Sequence, residues 1–242
     1  MTGEVLGRGG WGEVKVGVFR GTRVAVKTLY DIIINDYYLG LFSREMDVAS
    51  RVRHPNLLQF IGATRAGQLM IITELMPTSL RKELEKGSLT KLQILSIAKD
   101  VVLALNYLHS FRPQPILHRD VSSANVLLEP SASGNWKGKL SDYGSVNLMD
   151  SINTSNPGSP VYAAPEAATP NLHSPAMDVY SFGVLLTEMA TGQLPSLVGH
   201  EREALIRAVK WEGLRDCIVR CTATNPSTRP HTPIVFISYQ CC

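Results

Sequence analysis

The segment HRDVSSANVLL, residues 118–128, places an acid five residues before an amide and directly ahead of a short apolar run. On one tight loop, Asp120 could accept a proton and Asn125 could bind a metal ion. The positions between them include Ser122 and Ala124, where an enzyme that handles phosphate is expected to carry a positive charge. The segment therefore has the main groups of a catalytic loop and lacks one charge that such a loop would use.

A glycine-rich stretch, GRGGWGEV, occupies residues 7–14 and contains Gly7, Gly9 and Gly12. Glycines let backbone N–H groups approach phosphate oxygens without interference from side chains. The same spacing marks ordinary tight turns and dinucleotide-binding folds, and the latter need a helix directly after the glycines. Strand-like sequence lies on both sides here, which disfavours the dinucleotide alternative.

A single lysine ends the apolar run VAVK at residues 24–27. On the simplest interpretation, Lys27 is only a charge on an edge strand. Next to a glycine-rich loop, its ammonium could instead face phosphate oxygens if a carboxylate orients it. Glu45, on the helix predicted next, is the candidate, because a buried glutamate needs such a partner.

The elements that must position these residues change in type near residue 75. Before that point, period-two alternation and turn signals predict a mostly antiparallel sheet with one helix. The predicted elements are strands around 14–18, 24–26, 57–61 and 69–73, and a helix over 41–52 that ends at the HPN sequence of 54–56. A short linker near 74–77 follows, and a cleft between two such lobes is a common ligand site.

Beyond the linker the periodicity becomes helical. The predicted elements are a long amphipathic helix over 94–108, a hairpin of 126–128 with 139–141, a long loop over 142–166, a helix over 178–189 that is apolar nearly all round, and helices over 205–214 and 216–222. The larger lobe is therefore expected to be mainly helical.

Composition narrows the function classes. The 242 residues are 44% hydrophobic and 19% charged, with a formal net charge of +3. Scattered lysines and arginines argue against a nucleic-acid footprint or a basic membrane patch. No stretch approaches the ~20 apolar residues of a membrane span, and the first residues lack the features of a signal peptide. We therefore expect a soluble, cytoplasmic protein.

The four cysteines point to a reducing compartment. No pair of CxxC motifs is present, which argues against structural zinc. Cys217 and Cys221 are expected to be thiols in a helix rather than a disulfide. Cys241 and Cys242 end the sequence and could accept a lipid, although an isolated pair is a weak indicator of membrane anchoring.

The motifs occur together in a characteristic order: the glycine-rich loop, VAVK, HRD with its asparagine, DYG at 142–144 and APE at 164–166. In order and spacing they resemble the protein kinase family over nearly the whole chain, from Gly7 to Arg229. The phrases RHPN, DVYSFG and NPSTRP, at 53–56, 178–183 and 225–230, look most like the tyrosine-kinase-like group. Members of that group mostly phosphorylate serine and threonine.

The resemblance implies a fold and a domain organisation. The fold would be α+β and two-lobed, with a small β-rich N-lobe that carries one helix and a larger α-rich C-lobe. The N-lobe would cover about 1–74, the hinge 75–77 and the C-lobe 78–242. ATP, Mg²⁺ (or Mn²⁺) and a protein substrate would be the partners, and regulatory domains could flank the segment in the full-length protein.

The resemblance also assigns catalytic roles. Lys27 would neutralise the α- and β-phosphates of ATP, and Glu45 would hold it there. Asp142 would ligate the first metal ion and Asn125 the second. Asp120 would orient the substrate hydroxyl or accept its proton.

The same resemblance assigns the ATP site. The purine would lie under Val14 and Ala25 and above Leu127, and would hydrogen-bond to the backbone of Glu74 and Met76. Thr73 would be the small gatekeeper in front of an open pocket. The implied ATP-binding set is Leu6, Gly7, Gly9, Gly12, Val14, Ala25, Lys27, Glu45, Thr73, Glu74, Met76 and Leu127.

Other matched residues would be structural. His118 would brace the catalytic and metal-binding loops rather than act as a base, and Arg119 would suit a phosphorylated activation loop. Glu166 and Arg229 would form a buried pair, and Asp178 would anchor the catalytic loop from the buried helix. Candidate phosphorylation sites in the long loop are Ser145, Ser151, Thr154, Ser155, Ser159 and Tyr162.

The sequence departs from the family pattern in several places. Serine stands at 122, where serine/threonine kinases usually carry lysine, and alanine stands at 124, where tyrosine kinases usually carry arginine. Tyr143 replaces the usual phenylalanine and adds a hydroxyl that needs a partner if buried. Ser159 stands where serine/threonine kinases bear threonine, which favours aliphatic hydroxyl substrates. Residues 234–242 do not clearly continue the final helix of the family.

Three functions are consistent with these motifs. The first is an active kinase that modifies serine and threonine. The second is an ATP-binding pseudokinase that acts as a scaffold or allosteric partner, which the missing loop charge favours. The third is a kinase with tyrosine or dual specificity.

Overall fold

A five-stranded antiparallel sheet forms the first part of the molecule. The computed structural model describes residues 3–9, 12–30, 36–64, 67–132, 134–143 and 159–232. Along the sheet the strands follow the order β1-β2-β3-β5-β4. The strands are β1 (Val5–Gly9), β2 (Gly12–Phe19), β3 (Thr22–Leu29), β4 (Phe60–Ala63) and β5 (Met70–Glu74). The antiparallel sheet expected from the alternating valines is confirmed.

One helix, α1 (Asp36–Arg51), lies in the same part of the chain. Its residues Phe42 and Met46 form a small core with Leu69 and Ile71 of the sheet. The i, i+4 spacing of the two helix residues places both on one face, which packs on the sheet. A β-rich lobe with one helix is therefore confirmed, although α1 begins five residues before the predicted start at 41.

The second part of the chain is mainly helical around a three-stranded sheet of order β6-β7-β8. Its strands are β6 (Thr78–Ser79), β7 (Val126–Pro130) and β8 (Trp136–Leu140). Its helices are α2 (Leu80–Lys86), α3 (Lys91–His109), α4 (Pro175–Thr191), α5 (Gly199–Ala208) and α6 (Glu212–Cys221). Short 3₁₀ turns occur at Pro165–Ala168, Pro170–Leu172 and Pro226–Thr228.

Helices α3 and α4 form the centre of this core. The apolar residues that predicted α3 are all buried, and Thr90 caps the helix through a capping box with Gln93. In α4 every residue from 177 to 189 is buried, as expected for a helix that is apolar nearly all round. Gly183 allows α6 to approach closely, because a Cβ at this position would lie 2.7 Å from the Cβ of Cys221.

Several predicted boundaries are wrong. Helix α2 was not predicted, since its sequence LRKELEK is short and mostly charged. The strand predicted over 57–61 begins only at Phe60, because Leu57 and Leu58 are buried against the larger lobe instead. The helix predicted over 205–214 is two helices, and the chain leaves helical geometry at Val209, whose buried side chain joins the main core. Tertiary packing overrides the helical periodicity here.

The structure tests the expectation for the two cysteines of α6 but not those for the terminal residues. Cys217 and Cys221 are both thiols, as expected. The neighbouring Cys217 and burial together raise the pKa of the Cys221 thiol. Several expectations concern residues outside the described ranges. These residues are the phosphorylation candidates Ser145, Ser151, Thr154 and Ser155, the glycine of DYG, and 234–242 with the terminal cysteine pair. Within the described ranges, no helix combines the length and apolar character needed to cross a bilayer.

Candidate active site

The loop of residues 118–125 is anchored to α4 by one buried carboxylate, Asp178. Its Oδ1 accepts the N–H of Arg119 at 2.7 Å, and its Oδ2 accepts the N–H of His118 at 2.8 Å. The Nε2 of His109 lies 2.7 Å from the same Oδ2. Burial opposes ionisation, but these partners outweigh it and lower the pKa of Asp178. The expected anchor is confirmed, and it holds Arg119 at a φ of 65°, in the left-handed region that costs energy for a non-glycine residue.

His118 braces two segments, and both of its ring nitrogens are used. Its Nε2 lies 2.8 Å from the carbonyl oxygen of Ser141, which can only accept a hydrogen bond. Nε2 is therefore the protonated nitrogen, and Nδ1 accepts the backbone N–H of Asp120 at 3.2 Å. The ring joins the loop to the residue directly before Asp142, which agrees with the scaffold role and leaves no nitrogen to serve as a base.

Asp120 and Asn125 lie side by side on this loop. The Nδ2 of Asn125 donates to the Oδ2 of Asp120 at 2.7 Å and to its carbonyl oxygen at 2.9 Å. The Oδ1 of Asp120 accepts the backbone N–H of Ser159 at 3.0 Å. Both donor hydrogens of the amide are thus used, and its Oδ1 is left as the atom that could bind a metal ion.

Lys27 of β3 reaches across to Asp142, 115 residues later in the chain. Its Nζ lies 2.9 Å from Asp142 Oδ2, and 18% of the lysine side chain is exposed. Burial alone would raise the pKa of Asp142, but the charge and hydrogen bond of Lys27, with a smaller effect of His118, lower it. Asp142 also has a positive φ of 61°. The expected partner of Lys27, Glu45, belongs to α1, and its side chain lies outside the described part of the structure.

Tyr143 finds the partner that its hydroxyl requires. The side chain is 8% exposed, and the hydroxyl donates to the carbonyl oxygen of Leu58 at 2.7 Å. Burial raises the pKa of Tyr143 to about 12. The backbone is held at the same place, because the N–H of Leu58 donates to the carbonyl of Leu140 at 2.9 Å. Tyr143 therefore fastens the segment that carries Asp142 to the segment before β4.

The residues expected around a nucleotide follow the register of the first sheet. Val14 pairs with Lys27, and Ala25 pairs with Thr73. Glu74 ends β5, Met76 is buried two residues later, and Leu127 lies in β7. In β1, the carbonyl of Leu6 accepts a hydrogen bond from Lys82 of α2 at 3.4 Å, so β1 extends over the larger lobe.

The glycines of the glycine-rich stretch at 7–14 lie where β1 turns into β2. Gly7 pairs with Val14, and Gly9 pairs with Gly12 across the turn. A Cβ on Gly12 would lie 2.2 Å from the carbonyl oxygen of Thr28, so only glycine fits without a backbone shift. The tip of the turn, residues 10–11, lies outside the described residues.

A divalent cation fits the chemistry of two of these side chains. Asp142 offers a carboxylate with a lowered pKa, and Asn125 offers the amide oxygen that its hydrogen bonds leave over. In the described ranges, no three His, Cys, Asp or Glu side chains cluster as a closed metal cage. A site with one carboxylate and one amide oxygen suits an ion such as Mg²⁺, which takes its other ligands from phosphates and water.

The expected pair of Glu166 and Arg229 is also confirmed. The guanidinium of Arg229 donates from Nη1 to Oε1 and from Nη2 to Oε2 of Glu166, the latter at 2.9 Å. The arginine side chain is 0% exposed and the glutamate side chain 5%. A buried bidentate pair of this kind fixes the turn of 165–168 against the turn of 226–228, which Arg229 directly follows, because neither charge can reach water.

A buried polar cluster below the catalytic loop was not foreseen from the sequence. The hydroxyl of Tyr162 donates to Glu188 Oε2 and accepts from Arg81 at 2.8 Å. Ser123 Oγ donates to Glu188 Oε1 at 3.0 Å. Burial raises the pKa of Glu188, and burial with the adjacent Glu188 raises that of Tyr162. The signal for this cluster was weak, since its hydrogen-bonded partners are far apart in the chain, with 81 residues between Arg81 and Tyr162.

The cluster changes the interpretation of two sequence features. Tyr162 was a phosphorylation candidate, but it is 2% exposed and its hydroxyl is engaged, so a kinase could reach it only after local opening. Ser123, one of the two serines in the catalytic loop, is fully buried and holds Glu188. One of the polar residues in the middle of the loop, Ser123, therefore has a structural role in the core.

The sequence model of the family described as "Protein kinase domain" matches residues 1–238. The chain belongs to the protein kinase family. Members of this family in general use ATP and a divalent metal ion.

Individual relatives are similar over most of this chain. It is 34% identical to "Probable serine/threonine-protein kinase drkA" of Dictyostelium discoideum, over 94% of this chain and 37% of the relative. "Dual specificity protein kinase splA" of the same organism is 33% identical over 94% of this chain and 11% of the relative. "Serine/threonine-protein kinase VIK" of Arabidopsis thaliana is 33% identical over 93% of this chain and 56% of the relative. The chain thus spans roughly a tenth to just over half the length of these relatives.

Proposed function

We propose that this chain is the catalytic domain of an ATP-dependent protein kinase that phosphorylates serine and threonine hydroxyls of protein substrates in intracellular signalling. One observation carries the proposal. A loop anchored by Asp178 presents Asp120 beside Asn125, while Lys27 of the small lobe reaches Asp142 at 2.9 Å. These are the charged and amide groups that phosphoryl transfer requires, and they converge from both lobes.

Each of these side chains has a role that follows from its chemistry. Bound ATP would supply the γ-phosphoryl group, and Mg²⁺ would neutralise charge on its phosphates. Asp142 and the Oδ1 of Asn125 would hold the metal ion, and Mn²⁺ is the alternative ion with the same ligand types. The ammonium of Lys27 would face the α- and β-phosphates. Asp120 would orient the hydroxyl of the substrate and accept its proton as the oxygen attacks the γ-phosphorus, whose bond to the bridging oxygen breaks to release ADP.

The rest of the ATP site is proposed from the strand register. Leu6, Val14 and Ala25 would lie above the purine and Leu127 below it, with the backbone of Glu74 and Met76 as hydrogen-bonding partners. The placement of these residues in β1, β2, β3, β7 and at the end of β5 supports the proposal. Thr73, Gly7, Gly9, Gly12 and Glu45 complete the proposed set.

The substrate class rests on two observations. Ser159 carries an aliphatic hydroxyl and lies next to the proposed base, since its backbone N–H donates to the Oδ1 of Asp120 at 3.0 Å. Relatives at 33 and 34% identity are named serine/threonine-protein kinases. A relative at 33% identity is named a dual specificity kinase, so phosphorylation of tyrosine as well is the second candidate activity.

An ATP-binding pseudokinase is the third candidate, and the catalytic loop favours it in one respect. Ser122 is 3% exposed and brings no charge to the loop. The intact set of Asp120, Asn125 and Asp142 supports the enzyme instead, because this set holds the base and both metal ligands.

The surroundings of the domain are part of the same proposal. We place the kinase domain at 1–242, with a hinge at 75–77 between lobes of about 1–74 and 78–242, in the cytoplasm. Regulatory domains would flank it in the full-length protein, as the greater length of the relatives supports.

Transfer of labelled phosphate tests the proposal. The protein is incubated with labelled ATP, Mg²⁺ and degenerate peptides that contain only serine, threonine or tyrosine as acceptor, beside the Asp120→Asn variant. We expect the variant to be slower by about 10²-fold or more, as for loss of a general base. Circular dichroism and melting curves of both proteins establish that the variant is folded.

The outcomes separate the three candidates. Label on serine and threonine supports the proposal, and label on tyrosine as well supports dual specificity. A wild-type rate no faster than that of Asp120→Asn, with ATP still bound, would instead identify a pseudokinase.

A further inference from the structure

An ion pair lies where the two lobes meet, between residues to which no catalytic role has been given. Glu74 ends β5, and its Oε2 lies 2.6 Å from the Nζ of Lys139 in β8. Only 13% of the lysine side chain and 25% of the glutamate side chain are exposed. Because both groups are largely shielded from water, their attraction is weakened less than that of a surface pair.

Glu74 is held on a second side by the segment before β4. Its Oε1 accepts the N–H of Gln59 at 2.7 Å, and its own N–H donates to the carbonyl of Gln59 at 3.0 Å. Both carboxylate oxygens therefore have partners. The side chain of Glu74 is a junction between β5, the segment before β4 and β8.

The position of Lys139 connects this junction to the floor of the proposed purine site. Lys139 pairs directly with Leu127 across β7 and β8, and directly opposed residues of antiparallel strands share a face. Ser79 of β6, which follows the hinge, pairs with Leu127 from the other side. The contacts thus form a closed ring. The chain runs from Glu74 through 75–77 to β6, β6 pairs with β7, β7 pairs with β8, and the ammonium of Lys139 in β8 returns to Glu74.

We propose that Lys139 is a positioning residue for the purine of the nucleotide. Acting through Glu74, its ammonium sets the distance between the hinge backbone and Leu127, the two sides between which the purine would lie. This inference rests on the proposed ATP site. Without the ammonium, the partly shielded carboxylate of Glu74 keeps only the N–H of Gln59 as a partner. The carboxylate then turns toward water, and the hinge is no longer held to β8.

The test compares ATP affinity of the wild type with that of three variants, measured by calorimetric titration in the presence of Mg²⁺. Lys139→Met keeps the length of the side chain and removes its charge, and Lys139→Arg keeps the charge. Lys137→Met is the matched control, because Lys137 lies on the same strand, is 45% exposed and pairs with Glu129 at 3.4 Å on the surface.

We expect Lys139→Met to raise the Kd for ATP about tenfold, as for truncation of one partner of a shielded charge pair. Lys139→Arg and Lys137→Met are expected to stay within about twofold of the wild type. The Kd for adenosine, which has no phosphates, should rise by the same factor as that for ATP. In the transfer assay the KM for ATP should rise while kcat at saturating ATP changes little, a split that a general loss of folding would not produce.

A double-mutant cycle tests whether the effect passes through Glu74. In the Glu74→Gln background, Lys139→Met should add less than about twofold to the Kd, since the partner charge is already gone. If Lys139→Met is unfolded, Lys139→Gln is measured in its place. An unchanged ATP affinity in the methionine variant, an equal loss in the arginine variant, or full additivity in the cycle overturns the inference and leaves the proposed function intact. Failure of the wild type to bind ATP overturns both.

Discussion

The variant Tyr143→Phe removes one oxygen atom from the centre of the molecule. That atom donates to the Leu58 carbonyl at 2.7 Å, from a side chain that is 8% exposed. The ring volume is unchanged, so no cavity larger than the hydroxyl is created. The variant therefore isolates one hydrogen bond between the segment of Asp142 and the segment before β4.

The expected loss follows from the burial of both partners. A buried hydrogen bond contributes about 1 kcal/mol, and a carbonyl left without a partner adds a desolvation cost, so we expect unfolding to become easier by about 1–2 kcal/mol. For a chain of this size each kcal/mol corresponds to roughly 2–4 °C in Tm. Tyr143→Phe should thus melt about 2–8 °C lower than the wild type near neutral pH.

The pH dependence of this difference is a second, independent signature. Burial raises the pKa of Tyr143 from 10.0 to about 12, so folding favours the neutral phenol. The stabilisation that the buried neutral phenol gives the folded state is fully present below pH 10 and is lost as the pH rises through 12. The reason is that Tyr143 ionises at lower pH in the unfolded chain than in the folded one. A difference of two pKa units amounts to roughly 3 kcal/mol. The advantage of the wild type over Tyr143→Phe should therefore shrink between pH 10 and 12.

Urea unfolding from pH 7 to 12 measures both effects on the two proteins. Tyr30→Phe is the control, because Tyr30 is 45% exposed and its replacement should change the free energy of unfolding by no more than about 0.5 kcal/mol. If Tyr143→Phe is as stable as the wild type at pH 7, or if their difference is constant up to pH 12, the reasoning from the buried hydroxyl is refuted.

Two further predictions concern close packing and the catalytic loop. Gly183→Ala would place a Cβ 2.7 Å from the Cβ of Cys221, so the free energy of unfolding measured in urea should fall by about 1–3 kcal/mol. The control is Gly199→Ala, whose added Cβ meets nothing within 4 Å and should change that free energy by no more than about 0.5 kcal/mol. Equal effects of the two variants would contradict the close contact. Ser122→Lys should leave the phosphate transfer rate unchanged or raise it up to about tenfold, because it adds a positive charge two residues after Asp120. Ser122→Met controls for side-chain length, and a large fall in the lysine variant alone would show that the added charge harms the loop.

Local patterns in the sequence predicted the elements that frame the site. The spacing in HRDVSSANVLL places Asp120 and Asn125 five residues apart, and the structure has their side chains 2.7 Å apart within one loop. The apolar periodicity of α3 and the all-round apolar character of α4 predicted which faces are buried. Such patterns are informative because they reflect contacts within one element or one turn.

Boundaries were less predictable where packing competes with periodicity. Residues 205–214 have a continuous helical pattern, yet the helix ends before Val209, because the side chain of Val209 packs in the main core. Leu57 and Leu58 have strand character, yet they pack on the larger lobe before β4 begins. In both cases the gain from burying an apolar side chain in a distant core exceeds the local preference.

The sequence by itself determined the family, the order of the main elements and the polar groups of the candidate site, since these depend on residue types at short spacing. Only the tertiary structure decided which of those groups meet. Lys27 pairs with Asp142 across 115 positions, Tyr143 bonds to Leu58 across 85, and Glu74 pairs with Lys139 across 65. Each of these contacts costs the ordering of a long loop, which only the joint burial of both lobes can offset.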